Sequence, residues 1–243
     1  MRVWLAGLNH RTAPVAVREK LAFVDAEVPD ALAGLRACPG VSEAMILSTC
    51  NRVELTLAAD DAVDGGALLA DYLRHSRRVD AGWLDPHLYT YAGRDAIRHL
   101  FRVAASLDSM IVGEPQILGQ LKAAYGHARE CGTLGGVLDA AVSRAFNVAA
   151  PVRTETDIGS SAVSISSAAV ELAREIFGNL KGRKVMLVGA GKMSELAARH
   201  LYRSGASILV TNRTEARALD LARVVHGSVV PYDAYRQHLK DID

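Results

Sequence analysis

Cys50 stands in the run ILSTCNRVE, Ile46 to Glu54, where an apolar segment breaks into polar residues. Thr49, Asn51 and Arg52 put a hydroxyl, an amide and a guanidinium within two positions of the thiol. Such groups can converge on a carbonyl or a carboxylate through charge-assisted hydrogen bonds. A thiol so placed can attack an acyl carbon and hold the acyl group as a thioester, and the nearby Arg52 would favour the thiolate. Taken alone, a cysteine is more often a small buried residue than a nucleophile. Cys38 and Cys131 have no comparable setting and read as structural.

A second chemistry is written further on, in KVMLVGAGKMSELAARHLYRSGASILVTNRT. An apolar strand runs into Gly189-Ala190-Gly191, a helix follows, and a second strand closes the unit. The first glycine permits a tight turn and the second lets a pyrophosphate approach the backbone at the helix N-terminus. Ser194 replaces the third fingerprint glycine and is still small enough for close packing. The alternative is a purely structural turn. The second strand ends in Asn212, Arg213 and Thr214 with no acid to bind a ribose 2′-hydroxyl, which favours NADP(H) over NAD(H); Arg213 could also be an ordinary solvated charge. A reduced nicotinamide gives the thiol a purpose, because an enzyme thioester can accept hydride and leave as an aldehyde.

The elements that must position these residues follow from periodicity. Strands are expected at Arg2 to Leu8, Glu43 to Thr49, Arg52 to Ala58 and Leu88 to Ala92. Helices are expected from Val15 to Arg36, interrupted near Val28-Pro29, and from Gly65 to Arg77. The order β-α-β-β-α-β predicts a ferredoxin-like α+β unit. From Arg94 to about Arg153 the spacing turns helical, with Glu114-Pro115 as a helix start and a break at Gly132 to Gly136. Val152 to Ser167 is the most linker-like stretch, and Ser164 to Phe177 reads as a helix. From Lys184 a Rossmann-like pattern runs through a short SVVPY strand to one more polar helix. The fold class is thus α/β: a ferredoxin-like catalytic domain with added helices over 1–155, then a partial Rossmann-like NADP-binding domain over 156–243.

Composition sets limits. In 243 residues, a net charge of +1 gives no bulk case for nucleic acid, so such a partner would need a local patch. Three scattered cysteines supply neither a disulfide framework nor a zinc site, and no metal is expected. MRVWLAGLNHRTAP is too short an apolar run for a signal peptide, and no stretch would span a membrane. A cytoplasmic protein is the expectation.

Taken in order, STCNRVE, DSMIVGEPQILGQ, VRTET and GAGKMSELAA resemble the glutamyl-tRNA reductase family over essentially the whole chain. The resemblance implies NADPH-dependent reduction of glutamyl-tRNA(Glu) to glutamate-1-semialdehyde, the first committed step of the C5 route to tetrapyrroles. Cys50 would form the glutamyl thioester. Thr49, Asn51 and Arg52 would hold the glutamyl group, with Arg52 a carboxylate fork. Ser109, Glu114, Pro115, Gln116 and Gln120 would complete the pocket. His99 takes the place of a histidine important for activity, suited to moving a proton near the leaving hydroxyl; without the resemblance it reads as a polar residue on an amphipathic helix. Gly189, Ala190, Gly191, Lys192, Met193 and Ser194 would bind the NADPH pyrophosphate, with Asn212 and Arg213 beyond. The downstream semialdehyde aminotransferase is an implied partner. His10 lies in a family-like stretch and is assigned no chemistry.

Two departures stand out. The family carries a basic pair before VRTET, where this chain has Ala150-Pro151, and a proline there would break or kink the helix. Family members also continue past Asp243 into the rest of the nucleotide domain and a helical domain that makes them homodimers, and that domain is missing here. The expectation is therefore a chain that cleaves glutamyl-tRNA but makes little aldehyde. The alternative is a non-reducing glutamyl-tRNA-binding or esterase-like fragment with a regulatory role. The intact motifs argue against an unrelated NADP-linked thiol dehydrogenase.

Overall fold

A computed structural model describes residues 1–156, 158 and 165–243, apart from the side chains of Ile165 and Lys192. The chain divides into two compact units, Met1–Ala162 and Val163–Asp243.

The first unit is built on a four-stranded antiparallel sheet of β1 (Arg2–Asn9), β2 (Val41–Ser48), β3 (Arg52–Ala59) and β4 (Tyr89–Ala92) in the order β2-β3-β1-β4. That order is the ferredoxin-like split βαβ arrangement. All eight residues of β3 are buried, so both faces of this inner strand are covered. Side chains alternate along it. Val53, Leu55 and Leu57 enter the main apolar core, while Arg52, Glu54 and Thr56 share the opposite face and are buried too.

Helices α1 (Val15–Leu21) and α2 (Val28–Arg36) precede β2, and α3 (Gly65–Arg77) and the short α4 (Ala81–Leu84) precede β4. The first helical region is interrupted at residues 22–27, directly before Val28-Pro29. Val28-Pro29 begins α2, since a proline in the first turn gives up an N–H that has no helical acceptor. Three longer helices follow, α5 (Arg94–Ala104), α6 (Pro115–Glu130) and α7 (Gly136–Glu155). Pro151 does not break α7, which runs on to Glu155. Leu138, Val142, Ala145 and Ala149 hold the helix in the unit, and Arg153, beyond the proline, is anchored by hydrogen bonds to Ser106 and Gly113. Of the expected linker, 152–155 therefore belong to α7, and residues 157 and 159–164 lie outside the described residues.

The second unit opens with α8 (Ile165–Phe177). It continues as β5 (Lys184–Val188), α9 (Lys192–Arg203), β6 (Ser207–Thr211), α10 (Glu215–Val224) and β7 (Ser228–Val229). The strands pair in parallel in the order β5-β6-β7, the Rossmann-like pattern. The last polar helix, Tyr235–Asp241, is 3₁₀ in form. None of the described helices is long and apolar enough to cross a membrane.

Candidate active site

The β2–β3 connection is only Thr49 to Asn51, and its geometry is fixed from three sides. Thr49 Oγ1 accepts the backbone N–H groups of Asn51 and Arg52, each at 3.1 Å. The buried guanidinium of Arg18 on α1 donates to the Cys50 carbonyl and, at 3.1 Å, to Asn51 Oδ1. The His10 N–H donates to the Asn51 carbonyl at 2.9 Å. The side chains of Thr49 and Asn51 thus hold the turn itself, and the Cys50 side chain is left exposed.

Arg52 opens β3 and is 1% exposed. One end of its fork, Nη1, donates to Glu54 Oε1 at 2.7 Å. The other, Nη2, donates to the Asp108 backbone carbonyl and, at 2.9 Å, to Asp108 Oδ1. Arg52 therefore presents its charge to Glu54 and Asp108 rather than to the thiol. The expected help of Arg52 to the Cys50 thiolate is not seen, because both ends of the guanidinium are committed to Glu54 and Asp108. A guanidinium at the start of an inner strand lies under the sheet's cover, and two buried carboxylates neutralise it there.

Glu54 is the centre of this cluster. Its Oε1 also accepts from Tyr89 Oη at 2.6 Å and from His99 Nε2 at 2.8 Å. Gly7 is paired with Glu54 on one side and with Tyr89 on the other. A Cβ at Gly7 would lie 2.4 Å from the Val53 carbonyl oxygen and 2.8 Å from Glu54 Cγ. The bare glycine lets side chains from β3 and β4 meet across β1. Burial pushes the Glu54 carboxyl up, but the Arg52 charge and the bonds from His99 and Tyr89 outweigh it and hold the group at about 2. Burial and the Glu54 carboxylate together drive the Tyr89 phenol well above its ordinary range. Because a carboxylate only accepts, His99 Nε2 carries the hydrogen and Nδ1 is the open ring nitrogen. The ring stacks on Tyr91 with centroids 4.8 Å apart.

The Arg52–Asp108 contact ties β3 to the loop holding the second motif. Ser109 and Glu114 are both buried, with Ser109 Oγ 3.4 Å from Glu114 Oε2. Burial raises the Glu114 carboxyl above its ordinary value. Ser106 Oγ donates to the Glu114 carbonyl at 2.7 Å, and Arg153 of VRTET donates to Ser106 Oγ at 3.0 Å and to the Gly113 carbonyl at 3.1 Å. Pro115 starts α6, and Gln116 and Gln120 lie one turn apart on it, half-buried. Arg52 and His99 are thus joined through Glu54, and Ser109 pairs with Glu114 in the loop that Asp108 ties to Arg52; the contacts of Cys50 are those of its backbone. Arg18, Glu54, Tyr89 and Asp108 were missed by sequence reasoning; period-two alternation in RVELT, which puts Glu54 on the same face as Arg52, is the one signal that could have found Glu54.

In the second unit, Gly189 ends β5 with φ +112°, a backbone state suited to glycine. A Cβ at Gly191 would meet nothing within 4 Å, so open space faces the turn. Gly191 caps α9 without a side-chain bond, which leaves the first-turn N–H groups for an anion. Met193 and Ser194 lie in that turn, and the backbone of Lys192 starts it. Asn212 is committed to the turn: its Oδ1 accepts from the Ala190 N–H at 3.3 Å and its Nδ2 donates to the Thr214 carbonyl at 2.8 Å. Arg213 is exposed. Arg217, four residues on, lines a cleft of about 420 Å³ with Ala190, Gly191 and Glu195. The four-residue spacing in NRTEAR is the signal that would have found Arg217. The glycine turn and the open first-turn N–H groups fit a dinucleotide pyrophosphate, and the cleft also takes in Asp220.

A ferredoxin-like unit that presents a thiol on a clamped hairpin, followed by a parallel βαβ unit with a glycine turn, defines a two-unit α/β protein. Residues 6–156 match the family model described as glutamyl-tRNAGlu reductase, N-terminal domain, and residues 171–243 match that of shikimate / quinate 5-dehydrogenase. The chain therefore belongs to the glutamyl-tRNA reductase family. It is 59% identical over 244 aligned residues to glutamyl-tRNA reductase of Solibacter usitatus and 52% identical to that of Syntrophotalea carbinolica. All of this chain is covered in both cases, against 58% and 55% of those proteins. The solved glutamyl-tRNA reductase from Methanopyrus kandleri matches 99% of this chain and 57% of its own, at 38% identity and a TM-score of 0.62. The chain thus spans a little over half the length of these relatives.

Proposed function

We propose that this protein reduces glutamyl-tRNA(Glu) to glutamate-1-semialdehyde through a thioester on Cys50, using NADPH, and so opens the C5 route to tetrapyrroles. The first unit is the catalytic, glutamyl-tRNA-binding part and the second the NADPH-binding part. One observation carries the reading: an exposed thiol on a turn whose backbone is clamped by Thr49, Arg18 and His10. A fixed nucleophile loses little entropy on reaching the ester.

Cys50 Sγ attacks the ester carbonyl carbon. The C–S bond forms, the C–O bond to the ribose breaks, and the proton lost by the thiol ends on the ribose oxygen. His99 Nδ1 is the ring atom open to relay that proton, because Glu54 holds Nε2. Glu114, a buried carboxyl raised by its surroundings, suits the α-ammonium of the glutamyl group, which would stabilise its charged form. Arg52 Nη2 already takes one carboxylate oxygen, from Asp108, which supports its use by the substrate carboxylate. Gln116 and Gln120, on the first turns of the helix that follows Glu114, would add amides to the pocket. The backbone from Gly189 to Ser194 would hold the NADPH pyrophosphate, and Arg213 with Arg217 its 2′-phosphate. When bound, NADPH supplies the hydride that converts the thioester to aldehyde. Resemblance alone supports a cytoplasmic place, a homodimer and hand-over of the aldehyde to an aminotransferase.

The test is single turnover with glutamyl-tRNA(Glu), scoring tRNA release and the covalent glutamyl adduct by intact mass. The parent chain should release tRNA and gain the adduct at Cys50. Cys50→Ser should do neither, since a hydroxyl gives up its proton far less readily than a thiol and is a far weaker nucleophile in the same place. Release of tRNA by the Ser variant at the parental rate would show the covalent route to be wrong.

A further inference from the structure

The chain as a whole is nearly neutral, yet its arginines are not evenly disposed. Among exposed arginines on other described helices, Arg174, Arg199 and Arg223 pair with acids one turn away, while Arg129, Arg144, Arg203 and Arg217 stand singly without an ion pair to a described residue. Helix α5 carries three in a row. Its inner face is Ala96, His99, Leu100, Val103 and Ala104, and its exposed residues include Arg94, Arg98 and Arg102. Residues four apart lie on one ridge, about 6 Å from each other along the axis at 1.5 Å per residue. None of the three forms an ion pair with a described residue, and neither does Asp95, the one acid on the helix.

Arg98 and Arg102 wall a cleft of about 410 Å³ that also takes in Arg11, Tyr91, His99 and Asp108. Arg11 comes from the loop after β1 and is 54% exposed at its side chain. The countercharges facing the cleft are Asp95 and Asp108. Asp108 is already held by Arg52 at 2.9 Å and touched by Arg11 at 3.9 Å, so it neutralises little of the ridge. Guanidinium forks match phosphate oxygens, and the Tyr91 ring in the same cleft is held against His99 by stacking.

We propose that this cleft, with Arg98 and Arg102 on α5 and Arg11 opposite, binds the phosphate backbone at the acceptor end of the RNA. It is the local patch that a chain of net charge +1 needs to hold a polyanion. His99 lines the same cleft, so the terminal ribose would arrive at the residue assigned to its proton. The inference rests on the proposed function for the identity of the RNA, and its test uses no glutamyl chemistry.

The probe is deacylated tRNA(Glu), fluorescently labelled, with binding followed by anisotropy from about 0.1 M to 1 M salt. Each lost phosphate contact reduces the slope of log K against log salt by about 0.7–0.9. Arg98→Gln with Arg102→Gln should therefore flatten the slope by about 1.4–1.8. The affinity gap to the parent should grow from almost none at 1 M to about 25–60-fold at 0.1 M. Lysine at both positions should restore the parental slope, because the charge is kept. Equal slopes for the parent and the glutamine variant would overturn the proposal. So would a lysine variant as weak as the glutamine one, or a parent chain that does not bind the probe. Thioester formation at Cys50 alongside any of these results would leave the proposed reaction standing, and its absence would not touch the slopes.

Discussion

Replacing Glu54 with glutamine keeps the side chain's shape and removes its charge. In the folded unit Glu54 accepts from Arg52, Tyr89 and His99 on a single oxygen, and its carboxyl is held at about 2 against an ordinary 4.5. At 1.36 kcal/mol per unit that difference is worth roughly 3 kcal/mol. A similar figure comes from another direction. Removing one partner of a buried ion pair costs about 3–5 kcal/mol, because the other charge stays buried; here Asp108 keeps half of Arg52 satisfied, so the lower end applies. A carboxyl held below its unfolded-state value stabilises the fold above that value and loses the effect as the pH falls through the folded one. The Glu54 contribution is thus full at neutral pH and fades between roughly pH 4.5 and pH 2.

Urea unfolding followed by tryptophan fluorescence reads this directly, since the two tryptophans, Trp4 and Trp83, both lie in the first unit. The gap between the parent and Glu54→Gln should be about 3 kcal/mol at pH 7. It should hold to about pH 5 and close progressively as the medium approaches pH 2. A gap that persisted unchanged into strong acid would mean that glutamine fails on shape, not charge. No gap at pH 7 would refute the buried cluster altogether.

Gly7→Ala should destabilise the same unit by at least about 1–3 kcal/mol in the same assay, since its Cβ would strike backbone at 2.4 Å. Glu114→Gln should go the other way. A carboxyl raised by burial favours the fold only while protonated, a benefit lost as pH rises through its folded value, so the glutamine variant should unfold later than the parent at pH 7 while binding the glutamyl group more weakly. Arg213→Ala should weaken binding of 2′-phospho-ADP-ribose by about 1.5–3 kcal/mol and leave ADP-ribose little changed, as measured by calorimetry; equal weakening of both would remove Arg213 from the 2′-phosphate.

The strands, the glycine turn and most of the helices were legible because each is a local pattern: period two in RVELTLA, an apolar run stopped by Gly189, and Pro115 at a helix start. The site was legible only in part. Cys50 and Arg52 announce themselves by type, but Arg18 lies 32 residues from the carbonyl that it binds, and Asp108 lies 56 from Arg52. Proximity of that kind is a product of tertiary packing, and no short window contains it. The burial of the polar half of β3 is of the same kind: the sequence places a strand at Arg52 to Ala58, but the cover over Arg52, Glu54 and Thr56 comes from elements distant in the chain. Pro151 shows the converse error, where a strong local rule yields to the packing and the Arg153 anchor around it.

The way Arg52 is shared bears on how the site could accept a charged substrate. Glu54 is the more deeply held of its two carboxylates, with side-chain exposure of 3% against 11% for Asp108, and it has two further donors where Asp108 has only the weak approach of Arg11. Glu54 is therefore the fixed partner and Asp108 the exchangeable one. A substrate carboxylate that took the place of Asp108 on Nη2 would leave the cluster's charge unchanged, so entry would not strand a buried cation or add a buried anion, either of which costs several kcal/mol. Asp108, turned out toward the cleft, would then face Arg11. On this argument the buried Glu54–Arg52 pair would set the charge that the pocket demands of its ligand.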